Sequence, residues 1–297
     1  MEYQHSKEWK ADLHKNRVRT MRKREESMYL HANYYKPPPP ASCEDSASRL
    51  IDLREDLSCR EKICHWTYSV IDHFRLARQT VAISIDLFDR YMATLGNQCD
   101  ADLALLTSLT TLYIAIKVNE KKKIRLSTLA ELSREQFSAR DIESMEAKIL
   151  SALSWLVHPP TSMDFIYQLI QCMPTCNISS SLQRDIFELA RYTAELAVCD
   201  PFFIEHHSSV VALASVLNVL EDEISLEKLP RKLRTQFANQ ITSNFTWYVD
   251  CYRDVKYCRE RLRDLVWEQQ NGSEPGSPPR AKRSVSPTSI TGDGFKC

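Results

Sequence analysis

The amino-acid sequence predicts an all-α protein with two tandem five-helix units, an N-terminal helix before them and a disordered C-terminal tail after them. The chain of 297 residues has only five glycines, and Gly96 is the only one before Gly272. Helical spacing of apolar residues recurs through 50–268, and no alternating strand pattern there exceeds four residues. Pro159-Pro160 divides these helical patterns into two sets of five.

Composition excludes several functional classes. Loops that hold phosphate groups need several glycines close together, so we do not expect a P-loop enzyme, a dinucleotide-binding domain or a protein kinase. The formal net charge of +0 and the pI of about 7.1 give no general attraction to nucleic acid.

Ten cysteines are scattered along the chain, and we expect free thiols in a reducing compartment. We find no signal peptide and no apolar run of ~18 residues, so we expect neither secretion nor a membrane span. The residues Cys172, Cys176, His206 and His207 lack the paired spacing of a zinc site. We therefore predict no metal site and no cofactor.

The N-terminal region, residues 1–49, is basic in its first part and proline-rich in its second. One helix is predicted to run through Tyr35, because the four prolines of 37–40 cannot continue it. A polar linker follows. This helix carries a cluster of cations at Arg17, Arg19, Arg22, Lys23 and Arg24.

The first five-helix unit is predicted to occupy residues 50–158. The pattern Ser58-x-x-Glu61 is typical of a capping box and predicts a helix from Ser58 to about Phe74. The pattern Ser138-x-x-Asp141 opens the fifth helix in the same way. Between them, apolar spacing predicts helices at 78–93, 101–118 and 127–133.

The second unit is predicted to occupy residues 159–268, and a capping box at Thr161-x-x-Asp164 opens it. In each unit one helix is apolar on nearly every side, at 104–118 and at 210–220, which predicts a buried central helix. Residues 269–297 are predicted to be disordered. The five helices of this unit are predicted at 162–171, 181–198, 208–221, 226–243 and 245–268.

Two charged residues, Lys117 and Glu146, stand within strongly apolar stretches. Glu146 shares a helical face with Ile142 and Ile149. Burying an unpaired charge is costly, so each of the two requires a partner. Two interpretations stay open from the residues: a Lys–Glu bridge that serves only the fold, and an acid–base pair at the rim of a helix bundle that contacts another molecule.

Several motifs resemble those of the cyclin family over about 50–268. The segments that carry the resemblance are Arg60-Glu-Lys-Ile-Cys-His-Trp66, Phe88-Asp89-Arg90-Tyr91-Met92, Ala115-Ile-Lys-Val-Asn-Glu120, Ser144-Met-Glu-Ala-Lys-Ile-Leu150 and Asp200-Pro-Phe-Phe. Five signature positions of the cyclin box match in register, namely Arg60, Asp89, Leu106, Lys117 and Glu146.

The resemblance implies two tandem cyclin boxes and a role for each signature residue. Arg60 and Asp89 are expected to form a structural ion pair. Lys117 and Glu146 are expected to contact a kinase, with Val118 and Glu120 beside them, although Val118 departs from the aromatic residue that the family has there.

A substrate-docking patch is a further expectation from the resemblance. Ile63 and Trp66 match it, whereas Lys62 and Ser69 replace its apolar and acidic members.

By resemblance, we expect a regulatory subunit that binds and activates a cyclin-dependent serine/threonine kinase and controls the cell cycle. The expected partners are that kinase, its substrates and its inhibitors, with no membrane or direct nucleic-acid contact. We expect no enzymatic activity and no catalytic residue. The alternatives are a transcription-type cyclin and a cyclin-fold scaffold without a cell-cycle role.

Two serines of the C-terminal tail, Ser277 and Ser286, precede prolines as in the phosphorylation sites of kinases. We therefore expect them to be phosphosites. We expect the protein in the nucleus and the cytoplasm.

Overall fold

The computed structural model describes residues 2–29, 46–95, 100–173, 179–221 and 230–271, with side chains from Asp12 in the first range and from Cys59 in the second. All regular elements in these ranges are helical, which confirms the predicted fold class. The helices are α1 Glu2–Met28, α2 Ser46–His73, α3 Gln79–Leu95, α4 Ala101–Asn119, α5 Leu126–Leu132, α6 Ala139–Ala152, α7 Ser162–Gln171, α8 Ser180–Cys199, α9 Ser208–Glu221, α10 Arg231–Asn244, α11 Trp247–Asp250 and α12 Tyr252–Asn271. A 3₁₀ turn covers Pro201–Glu205.

The described chain forms two compact units, and it passes from one to the other at Pro159 and Pro160. The α2–α6 unit also includes Val198–Glu205. The α1/α7–α12 unit takes in the N-terminal helix together with most of the second half of the chain. The N-terminal helix therefore belongs to the same unit as the second set of helices.

Helix α4 is the centre of the α2–α6 unit and packs against α2, α3 and α6. It is long and apolar enough to cross a membrane, so the expectation that no segment reaches that length is wrong. However, 61% of its apolar window is buried inside the protein, which is typical of a core helix. Its own residues Leu109, Leu112 and Ile116 share one core with Ile63 of α2 and Phe88 of α3.

Helix α9 is the centre of the α1/α7–α12 unit and packs against α7, α10 and α12, while α1 packs against α7. All residues from Ser209 to Leu217 are buried, which confirms the predicted central helix. The predicted single helix at 245–268 is instead two helices, because the chain turns at Cys251 between α11 and α12. Residues 222–229, at the predicted start of α10, lie outside the described residues.

Two of the three predicted capping boxes are present. The side chain of Ser138 accepts a hydrogen bond from the Asp141 N–H, and Thr161 and Asp164 repeat the arrangement. The third, at Ser58, is wrong: α2 begins at Ser46, because residues 46–57 contain good helix formers and continue the helix.

Two helices end earlier than predicted. Helix α1 ends at Met28 rather than at Tyr35. Helix α6, which the double proline predicts to end near Trp155, ends three residues earlier at Ala152, because Ser154 and Trp155 adopt positive φ angles of 50° and 61°. The Trp155 N–H donates to the Leu150 carbonyl across this turn at 2.9 Å, which closes the helix end without glycine.

Among the described cysteines, Cys59 departs from the expectation of free thiols, because it is disulfide-bonded. The free thiols in the described ranges are Cys64, Cys172, Cys199, Cys251 and Cys258. No cluster of three potential metal ligands occurs among the described residues, and Cys176 lies outside them. The C-terminal tail from residue 272, with Ser277 and Ser286, also lies outside them.

Candidate functional site

Lys117 and Glu146 meet at the surface of the α2–α6 unit. Lys117 stands in the last turn of α4, and Glu146 lies in the middle of α6. The distance from Lys117 Nζ to Glu146 Oε1 is 2.5 Å. The Lys117 side chain is 41% exposed and that of Glu146 is 13% exposed, while its neighbours Met145 and Ile149 are buried. The two charges therefore form an ion pair with one side open to solvent.

The surroundings of the pair combine charge with apolar surface. The ring of Tyr113 lies one turn before Lys117, with its centroid 4.8 Å from Lys117 Nζ. Val118 is 38% exposed beside the pair. The ammonium of Lys123 donates to the Lys117 carbonyl at 3.0 Å, and so holds the loop after α4 against the end of that helix. The resulting surface offers hydrogen-bond donors, acceptors and apolar area to another molecule.

Glu120, expected at the kinase contact, is engaged within the fold. Its Oε1 atom accepts hydrogen bonds from the Ala77 N–H at 2.9 Å and the Thr80 hydroxyl at 2.5 Å. Asn119 also donates to the Thr80 hydroxyl, at 2.9 Å. Glu120 thus ties the end of α4 to the start of α3. Its role in kinase contact stays a prediction.

The predicted Arg60–Asp89 ion pair is present and buried. The Arg60 guanidinium donates from Nε and Nη2 to the two Asp89 oxygens, at 2.9 and 2.8 Å. Its Nη1 donates to the carbonyls of Val198 and Cys199, at 3.0 and 3.3 Å. Arg60 therefore joins α2 and α3 to the last residues of α8. Sequence reasoning missed these two carbonyls, since backbone acceptors leave no sequence signal.

A pair of thiols lies beside this ion pair. Cys64 is buried, and its Sγ lies 3.6 Å from the Val198 carbonyl. The hydrogen bond that the Cys199 thiol donates to Cys64, together with burial, strongly raises the pKa of Cys199. Burial also acts to raise the pKa of Cys64, but the hydrogen bond with Cys199 and the charge of Arg60 outweigh it, so this pKa is lowered.

The two residues of the expected docking patch differ in exposure. Ile63 is only 1% exposed and belongs to the core of the α2–α6 unit. Trp66 is partly buried and packs against the same core. Ile63 therefore presents no surface to a substrate in this structure, and the docking role stays a prediction that depends on Trp66.

The sequence of this chain is similar to one protein-family model and to known proteins. Residues 20–158 match the family model described as "Cyclin, N-terminal domain". Cyclin-D3-3 of Arabidopsis thaliana is 29% identical over 221 residues, which are 73% of this chain and 60% of that protein. The chain thus spans less than two thirds of the length of this relative.

Two solved structures share the fold. A viral cyclin from herpesvirus saimiri superposes with a TM-score of 0.53 at 19% identity, over 71% of this chain and 88% of that chain. A chain of the CAK complex from Chaetomium thermophilum, bound to ATP-gamma-S, superposes with a TM-score of 0.52 at 13% identity, over 89% of this chain and 73% of that chain. The helical architecture, the signature residues in register and these matches together show that the chain is a cyclin-box protein.

Proposed function

We propose that the protein is a regulatory subunit that binds and activates a cyclin-dependent serine/threonine kinase through Lys117 and Glu146. The observation that carries the proposal is the open ion pair of these residues at the surface of the α2–α6 unit. Its match to the cyclin N-terminal domain over residues 20–158 and the helical fold it shares with a chain of the CAK complex support a kinase as the partner class.

The hydrogen-bonding capacity of the pair is only partly used within the chain. An ammonium has three donors and a carboxylate has two oxygens. In the described part of the chain, Lys117 Nζ donates to Glu146 Oε1, and Glu146 Oε2 has no donor. Polar groups of a bound protein can use what remains. The alternative of a bridge that serves only the fold is less favoured, because an ion pair this exposed stabilises a fold by only about 0–1 kcal/mol.

Activation is then a shift between conformations of the kinase. A kinase becomes active when its own Lys–Glu ion pair forms and its activation loop becomes ordered. A cyclin box that contacts the mobile C-helix of the kinase stabilises that active conformer through interface energy and contributes no catalytic group. Loss of the contact should therefore remove activation while the cyclin box stays folded.

The test uses a panel of purified cyclin-dependent kinases, each mixed with the full chain and assayed on histone. We expect the wild-type chain to activate at least one kinase, and the double variant Lys117→Ala with Glu146→Ala to lose that activation. A double variant that retains its helical circular dichroism and still activates fully would show that this site is wrongly assigned.

A matched control comes from the α1/α7–α12 unit. Lys256 and Glu260 form an exposed ion pair at 3.9 Å, with side chains 62% and 54% exposed. Lys256→Ala with Glu260→Ala removes a surface pair of the same residue types, and we expect normal activation. Equal loss of activity in both double variants would indicate a general effect of removing surface charge.

A further inference from the structure

We propose that the loop between α4 and α5 is an electrostatic docking surface for an acidic, carboxylate-rich segment of the partner protein. The surface consists of Lys121, Lys122, Lys123 and Arg125, here called the basic loop. The proposal rests on the proposed function in one respect: it takes the partner to be the protein that also contacts Lys117 and Glu146.

The basic loop has positive charge that the chain does not neutralise. All four side chains are exposed, and none forms an ion pair with any residue in the described ranges. The Lys122 ammonium lies 6.0 Å from the centroid of the Phe74 ring. Lys123 donates only to the Lys117 carbonyl. Four cations within five positions therefore face solvent without a carboxylate among the described residues.

Three acidic side chains that adjoin the loop or the residues that it contacts already have partners. Glu120, directly before the loop, accepts hydrogen bonds from the start of α3. Asp72 forms an ion pair with Arg78 at 2.5 Å, and Glu146 forms one with Lys117. These acids are thus engaged elsewhere, and an external anionic group is the natural counterpart of the basic loop.

Both ends of the loop are anchored to the unit. Glu120 holds the N-terminal end through Ala77 and Thr80. At the other end, Ile124 is 7% exposed and packs in the core between the cations Lys123 and Arg125. A loop that is held in place loses little conformational freedom when a partner binds, which favours binding.

The basic loop is continuous with the candidate kinase site. The hydrogen bond from Lys123 to the Lys117 carbonyl places it directly beside the Lys117–Glu146 pair. Lys123 also has a local role, because its ammonium caps the C-terminal end of α4, where cations are favourable. Lys121, Lys122 and Arg125 have no such role, so they are available for binding. A partner with carboxylates beside its Lys117 contact would be preferred over one without them.

The test substitutes only the cations without a local role. The double variant Lys121→Glu with Lys122→Glu, here called the loop variant, retains the cap that Lys123 forms at the end of α4. We expect the association rate with the kinase that the chain activates to fall about ten-fold at low ionic strength. The difference from wild type should disappear at high salt, where such steering is screened. The dissociation rate should change little.

The matched control is Arg231→Glu with Lys232→Glu. These are two adjacent exposed cations at the start of α10, where carboxylates are favourable for the helix. Its association rate should equal that of wild type. The proposal would be overturned if the loop variant associated at the wild-type rate at low salt. It would also be overturned if the control variant lost as much association rate as the loop variant.

A second probe separates this proposal from the proposed function. A labelled polyglutamate peptide and a polyglutamine peptide of equal length are titrated into each chain, and fluorescence anisotropy is measured. Selective polyglutamate binding that the loop variant loses and the control keeps would support the basic loop even if no kinase is activated. If the chain activates a kinase but the loop variant loses neither polyglutamate binding nor association rate, the basic-loop proposal is overturned and the proposed function stands.

Discussion

The carboxylate of Glu25 in α1 accepts both the backbone N–H and the side-chain hydroxyl of Ser209 at the start of α9, at 3.1 and 2.6 Å. Glu25 is 1% exposed, and Arg22, at 5%, donates to the same carboxylate and to the Ser209 hydroxyl. The Arg22 guanidinium also lies 5.2 Å from the centroid of the Trp247 ring. The N-terminal helix thus supplies the cap for the central helix of its own unit.

The cap makes α1 an integral part of the α1/α7–α12 unit. Glu25→Ala should lower the free energy of unfolding by about 3 kcal/mol, because the buried Ser209 N–H and hydroxyl lose their acceptor and buried Arg22 keeps only the half-exposed Glu26 as a carboxylate partner. Urea unfolding measures the change. Glu26→Ala is the matched control: Glu26 bonds the same Arg22 but is 47% exposed, so its loss should change the stability by under about 1 kcal/mol. Similar small losses in both variants would mean that α1 adds little to the unit.

The two signature ion pairs should differ in what they contribute to stability. Arg60→Ala removes the guanidinium bonded to the buried Asp89 carboxylate and the donor that it supplies to the carbonyls of Val198 and Cys199. We expect the free energy of unfolding to fall by about 3–5 kcal/mol. Thermal and urea unfolding would report this loss, and a stability close to wild type would refute the structural role of Arg60.

Lys117→Ala should change the free energy of unfolding by under about 1 kcal/mol, since the ion pair with Glu146 is exposed on one side. The measurement is urea unfolding of the isolated chain, run beside Arg60→Ala. A large loss of stability would favour the interpretation that the bridge serves only the fold.

The cap of α6 should depend on pH. The Ser138 side chain and backbone N–H donate to Asp141, which lowers the pKa of that carboxyl below its ordinary value of 3.8. This stabilisation is complete above the ordinary pKa and is lost as pH falls through the lower folded pKa. The stability difference between wild type and Asp141→Asn should therefore be constant near neutral pH and shrink only under strongly acidic conditions. Ser138→Ala should show the same trend in urea unfolding, and a difference that grows as pH falls would contradict the assignment.

Two buried thiols should resist alkylation. Burial raises the pKa of Cys172 to about 11 and that of Cys258 to about 12. Because the thiolate is the reactive form, iodoacetamide should modify Cys172 at mildly basic pH about a hundred-fold more slowly than an ordinary thiol, and Cys258 more slowly still. Peptide mapping by mass spectrometry measures the rates. Both residues should react normally in denaturant, and rapid labelling of the folded chain would disprove the burial.

Local sequence patterns predicted most of the helices and the two buried central ones. Apolar residues all round 104–118 and 210–220 leave no polar face for solvent, so burial follows from composition alone. The caps at Ser138 and Thr161 were predicted because a capping box needs only residues three positions apart. The start of α2 was missed because the same pattern at Ser58 fits the interior of a longer helix.

The chemistry of Lys117 and Glu146 was also visible in the sequence, as two charges that required partners. Helical spacing placed each on its own helix, and only the packing of α4 against α6 brought Nζ and Oε1 together with one side open. Three contacts are visible only in the tertiary structure: Glu120 accepts hydrogen bonds at the start of α3, Arg60 donates to carbonyls at the end of α8, and Glu25 caps α9. These contacts join residues far apart along the chain, and their acceptors and donors are largely backbone groups that every residue carries, so no local pattern specifies them.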